Sequence, residues 1–126
     1  MNRFAIVSAI SAAALGCTTG ATISSLPPDV IKPTTFSVEE IRSCAYRWYE
    51  VGAFNLEYRP DGLLVKDIYN SAYALLSVVD GVVEVRTHFG ATGMRGRLRE
   101  VGERCAADAS ANPPAGWGFS PLLKVK

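Results

Sequence analysis

The chain has 126 residues, 48% of them hydrophobic and 20% charged, with a formal net charge of +1. That length suits one domain and leaves no room for two, and the near balance of charge gives no global electrostatic case for nucleic-acid binding. One histidine, and three cysteines without a Cys-x-x-Cys spacing, leave too few soft ligands for a metal site.

Met1-Asn2-Arg3 carries one positive charge, and residues 4–15 follow as an apolar run broken only by serines. A charged start before a short apolar stretch is the layout of an export signal. The run holds 12 residues, well short of the roughly 20 that a helix needs to span a bilayer core. A permanent transmembrane anchor is therefore not expected.

Ala14-Leu15-Gly16-Cys17 comes next. It resembles the lipobox of bacterial lipoproteins, in which small residues precede an obligatory cysteine, and the resemblance covers this segment alone. It implies that residues 1–16 are a signal peptide cleaved after Gly16, that Cys17 carries a diacylglyceryl thioether, and that the new amino group is acylated, as by palmitate. It also implies a place in the bacterial cell envelope. Because Thr18 rather than Asp follows the cysteine, the outer membrane facing the periplasm is the expected site. Ala14 stands where Leu is more frequent. The alternative is an ordinary signal cut after Ala12-Ala13-Ala14, which would leave Cys17 as a free thiol. Two or three acyl chains are enough for stable membrane attachment, whereas one binds only marginally.

Residues 18–35 contain Pro27-Pro28, Pro33 and many Ser and Thr, which reads as an extended tether. At full extension such a run spans at most roughly 60 Å. Ser37-Val38-Glu39-Glu40 then matches a helix capping box, with Phe36 and Ile41 placed as a hydrophobic staple. Val38, Ile41, Ala45 and Trp48 recur at helical spacing, so a helix is predicted from Val38 to about Tyr49.

Strand-like material follows. Residues 54–58 alternate apolar and polar, Arg59-Pro60-Asp61-Gly62 is a turn, and residues 63–69 return. Residues 72–79 and 82–89 flank Asp80-Gly81, one of the strongest short hairpin signals. A two-residue turn sets the register: Val79 opposite Val82, Val78 opposite Val83, Leu76 opposite Val85, Ala74 opposite Thr87. One face then carries Ala74, Leu76, Val78, Val83, Val85 and Thr87 as core. The other carries Tyr73, Leu75, Ser77, Glu84, Arg86 and His88 as the wetter side.

Thr92 is placed to cap a second helix, along which Met94, Leu98, Val101 and Cys105 form one apolar stripe. Gly96 and Gly102 weaken its propensity by roughly 1 kcal/mol each, so packing must hold it. The expected fold is α+β: helix, four-stranded antiparallel meander, helix, with both helices on one sheet face over residues 36–108. Cys44 and Cys105 lie on the apolar stripes of the two helices and are expected to form a disulfide, the alternative being two buried free thiols. Lipidation of Cys17 leaves those two as the pair available in an oxidising compartment.

The residues that could carry chemistry are few. His88 has no local nucleophile or orienting acid in a triad pattern. Gly90-Ala91-Thr92-Gly93 lacks the Gly-Lys-Ser/Thr ending of a phosphate loop. Arg95, Arg97, Arg99 and Arg104, countered by Glu100 and Glu103, read as a solvated helix face, with headgroup or acidic-protein contact as the sharper reading. The tail, residues 109–126, offers Trp117, Phe119, Leu122 and Leu123 either as residues that pack back on the domain or as anchors for a partner.

No catalytic, cofactor or metal residue is assigned. The expected role is that of a non-catalytic accessory or structural subunit of a larger envelope complex, bound to the membrane through lipid on Cys17, with no nucleic acid and no evident small-molecule substrate. The alternative is a small inhibitor, immunity or superinfection-exclusion lipoprotein that binds one protein target.

Overall fold

A computed structural model describes residues 19–118 apart from 53, 68, 89, 90 and 92. In chain order the elements are α1 (Gly20–Ser24), β1 (Val30–Pro33), α2 (Val38–Tyr49), a 3-10 turn (Glu50–Gly52), β2 (Asn55–Arg59), β3 (Gly62–Lys66), β4 (Ala72–Val79), β5 (Val82–Thr87) and α3 (Arg95–Ala107). The strands form one antiparallel sheet of five, in the order β1-β5-β4-β3-β2.

Local signals set α2. Ser37 Oγ accepts from the Glu40 backbone N–H at 3.2 Å, while Glu40 Oε1 accepts from the Ser37 N–H at 2.8 Å. Both bonds of the capping box are therefore made, and they satisfy donors that the first helical turn leaves without partners. The apolar stripe buries Ile41, Cys44, Ala45, Trp48 and Tyr49 against the sheet, with Phe36 packed at the core's margin. The Asp80-Gly81 turn takes positive φ at both residues, 53° and 75°, as a primed hairpin turn requires. It sets the expected register: Val79 opposite Val82, Val78 opposite Val83, Leu76 opposite Val85 and Ala74 opposite Thr87.

α3 starts at Arg95 with Met94 as its N-cap residue and no side-chain cap bond. The N-cap residue is thus two positions past Thr92, where the cap is expected; Thr92 itself lies outside the described residues. Gly102, which costs helix propensity, has a compensating use. A Cβ there would stand 2.3 Å from Val85 Cγ2, so the absent side chain lets α3 lie close on β5. α2 and α3 share one face of the sheet and bury Leu63, Val65, Ala74, Leu76, Val83 and Val85 beneath them. The Cys44–Cys105 disulfide joins the two helices, with Cα atoms 5.8 Å apart and a separation of 61 positions in sequence.

Four expectations are corrected. The sheet has five strands rather than four and the described domain has three helices, so the helix–meander–helix order is incomplete. Both extra elements lie within residues 18–35, expected to be a tether: β1 pairs with β5 from Val30↔Val85 to Pro33↔Val82. Proline lacks a ladder donor but is accommodated on an edge strand, and that is where Pro33 stands. Second, α1 covers the supposedly wet sheet face. Ile23, Leu64 and Ala72 are buried there with Leu26 and Leu75 against them, and Ser77 on the same face is only 6% exposed. Third, a register shift between Val65 and Lys66 passes over Tyr73, since Val65 pairs with Ala74 and Lys66 with Ala72. A bulge of this kind re-aims one side chain, and Tyr73 packs at the helix-side core against Phe54. Fourth, the regular pairing of β3 stops at Lys66, short of the expected end at Tyr69, and β5 stops at Thr87 with His88 beyond it; the expected end at Phe89 lies outside the described residues.

Candidate functional site

Residues 109–118 are built into the domain as a strap across both helices. Arg47 reaches from α2 to donate Nη2 to the carbonyls of Ala109 and Ala111 at 2.9 and 3.1 Å, and Nε to Asn112 at 2.9 Å. Trp48 Nε1 donates to the Ala111 carbonyl at 3.1 Å. Trp117 then folds under the strap, 8% exposed, its ring 4.9 Å from that of Trp48 and nearly perpendicular to it. Its Nε1 donates to Glu100 at 3.2 Å, and the Arg97 guanidinium lies 5.6 Å from its ring centroid. Trp117 is therefore packed into the core of the domain. The sequence left both outcomes open, because nothing near Trp117 announces that Trp48 lies opposite. Cys17, Phe119, Leu122 and Leu123 lie outside the described residues.

Between α2 and the strap is an open cleft of about 560 Å³, lined by Phe36, Glu39, Glu40, Ser43, Arg47, Asp108, Ala109, Ser110 and Asn112. Several of its polar groups already serve the fold. Glu40 completes the helix cap, Arg47 holds the strap, and Asp108 accepts from the Ser110 hydroxyl and N–H. Those two bonds hold the Asp108 carboxyl below its ordinary pKa. Internal structure accounts for most of the lining.

The basic helix is largely neutralised. Arg95 bonds Thr87 Oγ1 at 3.0 Å and Asp29 at 3.3 Å, while Asp29 also accepts from the Thr87 hydroxyl and N–H, so β1, β5 and α3 are tied at one point. Arg97 and Arg104 both pair with Glu100, and Arg99 donates to the Arg95 carbonyl. These contacts tie the arginines to groups of the same domain. His88 is half-buried at the end of β5, with its N–H on the Tyr73 carbonyl at 2.8 Å. Tyr49 is wholly buried and donates to the Leu98 carbonyl at 2.9 Å; desolvation pushes its phenol pKa well up. Among the described residues no group of three or more His, Cys, Asp or Glu is gathered to hold a metal. No described helix is long and apolar enough to cross a membrane.

One exposed cluster was missed at the sequence level. Tyr58 on edge strand β2 is 56% exposed and Tyr46 on α2 is 38% exposed; their rings meet edge to face at 5.9 Å. Arg42, one helical turn before Tyr46, holds its guanidinium 4.8 Å from the Tyr58 ring centroid and donates to the Arg59 carbonyl at 2.6 Å. These contacts pre-order three side chains of the kinds that dominate binding hot spots. The sequence signal was Arg42 and Tyr46 at i,i+4, off the apolar stripe of α2; what it lacked was the third member, from a strand.

No family model, curated protein or solved structure matches the chain.

Proposed function

We propose that the chain is a non-catalytic envelope lipoprotein, anchored by lipid on Cys17 in the outer membrane and facing the periplasm, which serves as an accessory or structural subunit of a larger membrane-associated complex. The observation that carries this reading is the use of the cysteines. Cys44 and Cys105 are joined, so the third, Cys17, is the one left over, directly behind an export-like apolar run. Disulfides persist in oxidising compartments, and a lipobox-like segment gives the remaining cysteine a chemical use.

The Arg42-Tyr46-Tyr58 cluster is the partner contact in this reading. Its rings are exposed and already ordered, so binding would cost little side-chain entropy. The test is gentle extraction of the membrane-bound protein and isolation of whatever remains with it at constant stoichiometry. A retained envelope component is expected, with retention reduced at least about tenfold, or ~1.4 kcal/mol, by Tyr46→Ala with Tyr58→Ala. Recovery of the monomer alone, from extracts where the protein is folded, would contradict the proposal.

A further inference from the structure

If Cys17 is the anchor, the structure leaves almost no tether behind it. Thr18 alone separates Cys17 from Thr19, so covalent geometry limits that link to about 7 Å. Thr19 is already part of the fold. Its Oγ1 accepts from the Thr22 N–H at 3.1 Å and its carbonyl accepts from the Ile23 N–H at 3.0 Å. Ile23 in turn is fully buried against the sheet face that carries Leu64 and Ala72. Gly20 sits so close to that face that a Cβ there would stand 2.3 Å from Arg59 Nη2 and 3.3 Å from Leu64.

We infer that the lipidated domain lies flush on the bilayer, with the α1-covered sheet face turned to the lipid headgroups and the helix face turned away. This inference rests on the reading of Cys17 given above. The same face carries Ile31, 61% exposed and opposite Glu84 on β5. Its charges are largely paired within the protein: Glu57 with Arg59 and Lys66, and Glu84 with Arg86. Attraction to anionic lipid is therefore not what orients the domain; the short covalent link is. The Arg42-Tyr46-Tyr58 cluster belongs to the opposite, helix-bearing face, since Tyr58 lies across from Leu63 of the helix-side core. The anchor thus holds the partner surface outward.

The experiment uses a chain beginning at Cys17, which retains every described core residue from Ile23 to Trp117. With the disulfide formed, its free thiol is coupled to a maleimide lipid in phosphatidylcholine vesicles. A fluorescent amino acid replaces Ser24 or Ile31 on one side and Ser43 or Ser110 on the other, all exposed positions. Quenching by headgroup-nitroxide lipid should be several-fold stronger at Ser24 and Ile31 than at Ser43 and Ser110, and it should persist at high salt. Inserting about 15 Gly/Ser residues after Cys17, which adds roughly 20 Å of flexible reach, should bring the ratio close to one. Equal quenching without the insert, or a ratio that the insert leaves unchanged, would overturn the inference. Chemical coupling makes this outcome independent of whether cells acylate Cys17, which the mass of the native protein decides separately.

Discussion

The two faces of the sheet are stabilised very differently. On one, α2, α3 and the strap enclose a core of nineteen buried residues among those described, braced by the disulfide and the Trp48–Trp117 pair. On the other, the buried cluster has three members, Ile23 from a five-residue helix packed on Leu64 and Ala72. Hydrophobic stabilisation scales with apolar area removed from water, so the helix face holds the fold. The α1 face is where local opening costs least. The anchor reading attaches the lipid to the thin side, so strain from the membrane would reach the weaker cluster first.

The disulfide gives the largest expected effect. Replacing Cys44 and Cys105 by Ala removes a cross-link over 61 residues, which should cost about 4 kcal/mol in the chain-entropy account. Urea unfolding should show this as a lower midpoint for the whole domain. Ile23→Ala comes next, at roughly 2–3 kcal/mol for a buried aliphatic truncation. Amide exchange in this variant should accelerate mainly around residues 20–26 while α2 and α3 stay protected. Uniform acceleration would show that the two clusters open as one unit. Ser37→Ala removes one bond of the α2 cap and should cost about 1 kcal/mol, without altering exchange in α1.

The smallest effect is electrostatic. Glu57 is held below its ordinary pKa of 4.5, first by the side-chain bond from Lys66 and then by the charge of Arg59. A carboxyl depressed in the folded state stabilises above its unfolded pKa, and that contribution is lost as pH falls through the folded value. Stability should therefore dip slightly as pH drops below about 4.5. An NMR titration of Glu57 should return towards the ordinary value in Lys66→Ala. Because the pair is on the surface, added salt should erase most of the difference.

Local chemistry made the helix-side elements legible. The Ser37/Glu40 box, the Asp80-Gly81 turn and the two apolar stripes each act within a few residues, and together they place α2, the β4–β5 register and the Cys44–Cys105 pair. The missed pieces depend on distant partners. Pro27-Pro28 and Pro33 read as a spacer because nothing local says that β5 offers an edge to Val30–Pro33. Gly20–Ser24 is too short for a periodic signal, and the bulge that re-aims Tyr73 is set by pairing with β3. In the candidate site, Arg42 and Tyr46 were visible as an i,i+4 pair, but Tyr58 joins them only through the sheet.

The anchor is the point on which the functional account turns, and the intact mass of the protein extracted from native membranes tests it most directly. The expected mass is that of a chain that begins at Cys17, carries acyl chains there, and is two hydrogens lighter for the Cys44–Cys105 bond. A chain that retains residues 1–16, or one that begins at or near Cys17 without acyl groups, would contradict it.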